Sequence, residues 1–273
     1  MTESFSDSPR HLARESGFVE SDGMQIYFED YGCGEPIVLV HGWGSSLHSN
    51  WVRTGWLDAL LPMRRVVVLD VRGHGASDKP LDQSAYGYAN MSRDVLAIMD
   101  HLEIPKADLM GYSMGSCLGA SLLGSSRTRF TSMILGGIGD ETDESLANLP
   151  KIVAGLRAKD PARIEDPLSL GYRNFASADP RNDLEALARS ALQIWPEGFP
   201  LRLIGPTATE IDLCVLVVNG ADDHPYIDTV HELVEAIPSA ELVVIPDHDH
   251  VSVIVAPRFK QEVLQFLDPS ATL

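Results

Sequence analysis

The chain has 273 residues, 44% of them apolar, and carries a formal net charge of −18. That length suits one large α/β domain with an insertion, and the apolar share is enough for a full core. The negative balance repels phosphate backbones and anionic headgroups, so nucleic acid and membrane surfaces are poor partners.

Residues 1–16 are polar and lack the apolar stretch of a secretory signal, so a loose arm is expected there. No run approaches the ~18 apolar residues of a membrane-spanning helix. The three cysteines, Cys33, Cys117 and Cys214, are scattered and odd in number. Neither a disulfide framework nor a metal site is expected, and a reducing, cytoplasmic setting fits.

Residues 24–31 begin the strand series, and the mixed polarity of 25–29 suits an antiparallel edge hairpin. Residues 36–40 (PIVLV) read as a central parallel strand, apolar on both faces. His41-Gly42-Trp43-Gly44 follows at once. Such a loop can bring a backbone N–H beside a reacting carbonyl. His41 reads as a structural brace for that loop rather than a catalytic group. A third strand is expected at 65–69, and an amphipathic helix over 91–102 with apolar residues at 91, 95, 98, 99 and 102.

Residues 106–110 lead into Gly111-Tyr112-Ser113-Met114-Gly115, followed by the small residues 116–120. Strand, G-x-S-x-G and helix in that order make a nucleophile elbow. The glycines remove Cβ atoms that a turn this tight cannot hold. Ser113 is lifted off the sheet edge, and the first N–H groups of the next helix point at the substrate. The N–H groups of Trp43 and Met114 are the expected oxyanion hole. Trp43, Tyr112 and Met114 are the expected wall for the acyl group.

A strand over 131–135 opens a long connection, 136–209, which exceeds ordinary loop length and needs structure of its own. Leu184, Leu187, Ala188, Ala191, Leu192 and Trp195 lie on one helical face. Asn182 or Asp183 can cap that helix, and Pro196 stops it. Its stripe is expected to pack on the body rather than line a pocket.

Residues 214–218 read as a buried strand ending in Gly220-Ala221-Asp222-Asp223. Either aspartate can orient an imidazole. A last strand at 242–245 precedes Asp247-His248-Asp249-His250. Alternate residues of an extended segment face opposite ways, which argues against a metal site there. Serine, aspartate and histidine thus follow separate strands in that order.

With GYSMG and HGWG in place, residues 18–268 resemble the α/β-hydrolase superfamily. Residues 70–80 (DVRGHGASDKP) look like that family's D-x-R-G-x-G-x-S-D-x-P turn, a structural loop. The resemblance implies a mostly parallel twisted sheet with helices on both faces. It implies a core of 1–138 and 209–273 and a helical lid of 139–208. Its G-x-x-D spacing selects Asp223 over Asp222, and its spacing to the proline of the last helix selects His250 over His248. Asp249 stands where the family usually has glycine, and Val255 where it usually has glutamate.

The catalytic residues implied are Ser113, Asp223 and His250, acting on a small-molecule ester without a cofactor. Carbon–carbon bond hydrolases and perhydrolases use the same triad. The former usually carry asparagine where this chain has Tyr112. A ligand receptor on the same scaffold is a reading of another class. Haloalkane dehalogenases and epoxide hydrolases are disfavoured, because their nucleophile is an aspartate.

Overall fold

The computed structural model describes residues 11–268. Eight strands form one sheet: β1 (Glu15–Ser21), β2 (Met24–Tyr31), β3 (Pro36–Val40), β4 (Arg65–Leu69), β5 (Ala107–Tyr112), β6 (Phe130–Gly136), β7 (Cys214–Gly220) and β8 (Ala240–Ile245). Their spatial order is β1-β2-β4-β3-β5-β6-β7-β8. β1 and β2 pair antiparallel, as do β2 and β4, and the remaining neighbours are parallel.

Two expectations need correction. β1 begins at Glu15, so the end of the expected loose arm is an edge strand, while residues 1–10 lie outside the described residues. Burial alternates only over its second half, where Val19 and Ser21 turn inward, a weak signal in a short window. β5 runs to Tyr112 and β6 to Gly136, past the expected ends, because both carry the ladder up to the elbow.

The central strands β3, β4, β5, β6 and β7 are buried on both sides, whereas the edge strand β8 is only partly covered. Val38, Val40, Val67, Leu69, Leu109, Leu135 and Val217 belong to one core cluster. Their alternates Ile37, Leu39, Val66, Val68, Met110, Ile134 and Val218 belong to the other. Successive side chains point to opposite faces, so a run with no polar residue is the pattern a doubly covered strand requires. Each such side chain contributes roughly 1.5–3 kcal/mol on burial. Helices α2 (Tyr88–His101), α3 (Met114–Ser126) and α8 (Tyr226–Ala236) cover the first face. The short α1 (Trp56–Leu60) and α9 (Pro257–Leu267) cover the second, where Trp56 packs edge-on against Phe259 with ring centres 5.0 Å apart.

β3 lies between β4 and β5, so the chain leaves it in one direction and returns on its other side. At such a point two loops diverge and open a crevice beyond the strand ends. The loops after β3 and β5 are the ones carrying HGWG and GYSMG. Asp70 organises the neighbouring loop: its fully buried carboxylate accepts from the N–H groups of Leu47 and Ala76. Arg72 pairs with buried Asp94, and Ser77 ties the loop back to the Asp70 carbonyl. Residues 70–80 are therefore a structural turn.

Between β6 and β7 the chain forms α4 (Asp143–Arg157), α5 (Pro167–Ala176), α6 (Leu184–Ile194) and α7 (Pro200–Ile204), with a 3-10 turn between α4 and α5, another between α6 and α7, and a third after α7. Thr142 and Ser145 close a capping box on α4. Asp183 caps α6 by accepting from Ala186 N–H. Asn182, the other capping candidate, is used elsewhere, as described below. Leu187, Ala188 and Ala191 are fully buried, and α6 packs chiefly on α4 and on the 3-10 turn Gln83–Tyr86.

Candidate active site

Ser113 sits at the junction of β5 and α3 with φ 54° and ψ −115°. A left-handed φ at a non-glycine residue stores roughly 1–3 kcal/mol and persists only where surrounding contacts enforce it. Here Ser113 N–H donates to the Gly136 carbonyl at 2.8 Å, and its own carbonyl accepts from Ser116 and Cys117. The glycines are sterically required. A Cβ at Gly115 would stand 2.0 Å from the Val40 carbonyl oxygen, and one at Gly111 would stand 2.3 Å from the Gly115 carbonyl oxygen.

His250 follows β8 and reaches back across the strand ends. Its Nε2 lies 2.9 Å from Ser113 Oγ, and its Nδ1 lies 2.9 and 3.1 Å from the two carboxylate oxygens of Asp223. Asp223 is buried and acceptor-only, so Nδ1 carries the proton and Nε2 presents a lone pair to the serine. Asp222 is exposed, and its backbone N–H donates to the His248 carbonyl. His248 turns away, its Nδ1 on the Pro246 carbonyl. Asp249 also turns away, held by Ser252, whose hydrogen bonds lower its carboxyl pKa. Among the described residues no cluster of metal-ligating side chains is present.

Residues 35–257 match the family described as alpha/beta hydrolase fold. The chain belongs to that family. Among related sequences, this hydrolase is 28% identical over 270 residues to a Bacillus subtilis protein that carries the name of a 2-succinyl-6-hydroxy-2,4-cyclohexadiene-1-carboxylate synthase; the match covers 90% of this chain and 96% of that one. It is 29% identical over 294 residues to a 2-hydroxy-6-oxononadienedioate/2-hydroxy-6-oxononatrienedioate hydrolase of Escherichia coli, covering 95% and 98% of the two chains. Among solved structures it resembles the enol-lactonase of Burkholderia xenovorans, with a TM-score of 0.73, 26% identity, and 92% and 99% of the chains covered.

In this hydrolase the loop after β3 packs directly on the elbow. A Cβ at Gly42 would stand 3.4 Å from both Ser113 Cβ and the Tyr112 carbonyl oxygen. Gly42 N–H is taken by Asn50 Oδ1 at 3.0 Å. The N–H of Met114 belongs to the first residue of α3 and has no acceptor within its own helix. That of Trp43 also meets no acceptor among the described residues. His41 is fully buried; its Nδ1 donates to the Gly42 carbonyl and its Nε2 accepts from Val71 N–H. Burial pushes its pKa down, so a neutral ring braces the loop.

Trp43 and Met114 are buried, at 7% and 4% exposure, and belong to one core cluster. The Trp43 ring meets Tyr172 of α5 and Trp195, just past α6, edge-on at 5.8 Å each. Tyr172 and Trp195 are themselves 5.4 Å apart. The expectation that the α6 stripe packs on the body is thus only partly met, since its last member joins this aromatic group beside the elbow.

Tyr112 departs from its expected place on the acyl wall. Its ring is 5% exposed, packs against Gly136 and Gly137, and lies 5.5 Å from the His250 ring. Its hydroxyl donates to the His250 carbonyl. A strand residue alternates sides with its neighbours, so the residue before the serine points beneath the histidine rather than into the crevice. Burial raises its pKa well above the usual value and keeps it a neutral donor.

Two residues near the site, Tyr226 and Glu141, carried no signal in the sequence, and a third, Asn182, was marked only as a helix cap. Tyr226, at the start of α8, sets its ring 5.1 Å from that of His250, tilted by 44°. Its hydroxyl donates to Glu141 Oε1 at 3.0 Å. Asn182 uses its amide three ways: Nδ2 donates to the carbonyls of Gly44 (2.9 Å) and Ala176 (3.1 Å), and Oδ1 accepts from Gly75 N–H (2.9 Å). It fastens the segment between α5 and α6 to the loop after β3.

Proposed function

We propose that this hydrolase cleaves carboxylic esters of small to medium acyl groups through an acyl-enzyme. The observation that carries this reading is the unbroken line Asp223–His250–Ser113, with donor and acceptor positions matched at each step. In the first half-reaction His250 Nε2 takes the Ser113 proton as Oγ bonds to the ester carbonyl carbon. The carbonyl oxygen becomes an oxyanion, held by the N–H groups of Trp43 and Met114. His250 returns the proton to the leaving alcohol as the carbon–oxygen bond breaks. Water then repeats the sequence, freeing the acid and restoring Ser113. Asp223 holds the tautomer and stabilises the imidazolium. Residues 139–208 act as a cap, with Tyr172 and Trp195 facing Trp43 to form an apolar wall suited to an acyl chain. No cofactor enters the scheme.

Steady-state hydrolysis of p-nitrophenyl acetate, butyrate and octanoate tests the reading. Many turnovers per enzyme with a peak at one chain length are expected. A single stoichiometric burst or no release would favour a receptor on this scaffold or another reaction of the triad. The second reading is carbon–carbon bond hydrolysis, favoured by the Escherichia coli relative. Tyr112, in place of the asparagine usual in such enzymes, weighs against it.

A further inference from the structure

Glu141 is a half-buried carboxyl that the ester mechanism does not use. It follows β6 and precedes α4, its backbone N–H bound to the Gly198 carbonyl at 3.0 Å. Its Oε1 accepts from the Tyr226 hydroxyl, and the Tyr226 ring stands against His250. Several other groups also feel its charge: the hydroxyls of Tyr172 on α5 and Tyr88 on α2, the thiol of Cys117 on α3, and the His250 imidazole. With Tyr226, these groups come from α2, α3, α5, α8 and the loop after β8. Cys117 is one turn after the nucleophile, and Tyr172 touches the Trp43 ring.

The surroundings do not neutralise this carboxyl. The neighbours that favour its charge are the Ser145 and Tyr226 hydroxyls and the His250 ring. Asp140 beside it adds negative charge, and Arg202 acts on Asp140 rather than on Glu141. Neither lysine nor arginine faces Glu141 among the groups acting on it. A second carboxylate on a bound substrate would meet like charge in a poorly hydrated space. An amide, hydroxyl or ammonium group would meet an acceptor.

We propose that Glu141, fixed by Tyr226 beside the triad histidine, is a specificity-determining residue that turns the site against substrates with a second carboxylate and toward uncharged or hydrogen-bond-donating ones. This rests on the ester reading for its assay, while its binding half stands without it. At an effective dielectric near 20, like charges about 8 Å apart discriminate by roughly tenfold or more. Burial raises the Glu141 pKa, so the discrimination grows as pH rises and the carboxyl ionises.

The experiment compares p-nitrophenyl butyrate with mono-p-nitrophenyl succinate, and an uncharged with a carboxylated nitrophenyl leaving group, in wild type and Glu141→Gln. Wild type is expected to prefer the uncharged member of at least one pair by tenfold or more in kcat/KM. Glu141→Gln should shrink that preference at least about fivefold. Between about pH 5.5 and 8.5 the substrate carboxylate stays ionised. The wild-type ratio should climb as rising pH ionises Glu141, whose pKa burial raises, and the Glu141→Gln ratio should stay flat; the wild-type climb needs no variant to fold. Hydrolysis of both members with equal preference in wild type and variant would overturn the proposal and leave the ester reading standing. Absence of turnover for every ester would instead count against the ester reading. Tryptophan-fluorescence titration with butylboronic acid and 3-carboxypropylboronic acid then decides selectivity: tighter binding of the uncharged acid, lost in Glu141→Gln, supports the proposal, and equal binding or none of either rejects it.

Discussion

The two halves of the crevice are built by different physics. On the sheet side, Ser113, Asp223 and His250 stand at the ends of β5, β7 and β8, where parallel register fixes the spacing of the loops. Each is held by short polar contacts, and the nucleophile sits on a backbone strained enough to need two glycines and a ladder bond. On the cap side, Tyr172 and Trp195 meet Trp43 through ring edges. The polar fastenings of that side include the amide of Asn182, on Gly44 after β3 and Gly75 after β4, and the Arg181 guanidinium on Ser46. Hydrogen-bonded register fixes positions to tenths of an ångström, whereas apolar packing is non-directional and tolerates volume-conserving exchange. On the proposed function the chemistry belongs to the sheet side, and the cap side tunes which substrate reaches it.

The contrast breaks first at Ser113. Ser113→Ala should lower turnover of p-nitrophenyl butyrate by about 10⁶. Ser113→Gly should be equally inactive yet more stable by about 1 kcal/mol in a urea melt, because glycine relieves the positive φ. A variant that stayed active, or a glycine variant that lost stability, would contradict the strained-elbow account. Asp223→Asn comes next, with a loss of about 10⁴ in kcat from the reversed tautomer, against less than about threefold for Asp222→Asn. The opposite ranking would move the acid to Asp222.

Asn182→Ala sharpens the comparison from the cap side. Losing its grip on Gly44 and Gly75 should lower kcat about tenfold by loosening the loop that carries Trp43 N–H, with KM changed much less. A rise in KM alone would make Asn182 a substrate contact instead. The smallest effect concerns the sheet side without touching its chemistry. His74 is fully buried, and burial holds its pKa well below the usual value. Above about pH 6.5 the ring is neutral in both folded and unfolded chains, and below it only the unfolded chain gains the proton. Stability should then fall by about 1.4 kcal/mol per pH unit on this account. His74→Phe should remove that portion of the slope in urea melts at pH 6.5 and 5.0. His48, raised by Glu29, works in the opposite sense in both proteins and drops out of the difference.

The sequence was most readable where one residue type answers one steric or chemical demand. GYSMG announced its elbow because only glycine escapes the Val40 and Gly115 carbonyls. Runs such as PIVLV announced central strands because both faces are covered. β1 was hidden by its polar, half-exposed pattern. Tyr112 was misread because spacing along the chain does not say on which side of an elbow a ring falls; the pleat does, and it sends that ring under His250. Glu141 and Tyr226 gave no sign at all, and Asn182 read only as a helix cap. Their partners lie far away in sequence (Gly44, Gly75, His250), and no periodicity encodes a contact across 85 or 138 residues.

What the chain determined by itself was local: strained turns, doubly buried strands, and a serine, an aspartate and a histidine each following a strand. The resemblance already favoured Asp223 over Asp222; tertiary structure alone decided which way Tyr112 points and what stands over Ser113. Those outcomes follow from the order in which strands assemble and from where the cap's rings come to rest. Both depend on packing among segments that are distant in the chain, to which a residue's own neighbours are blind.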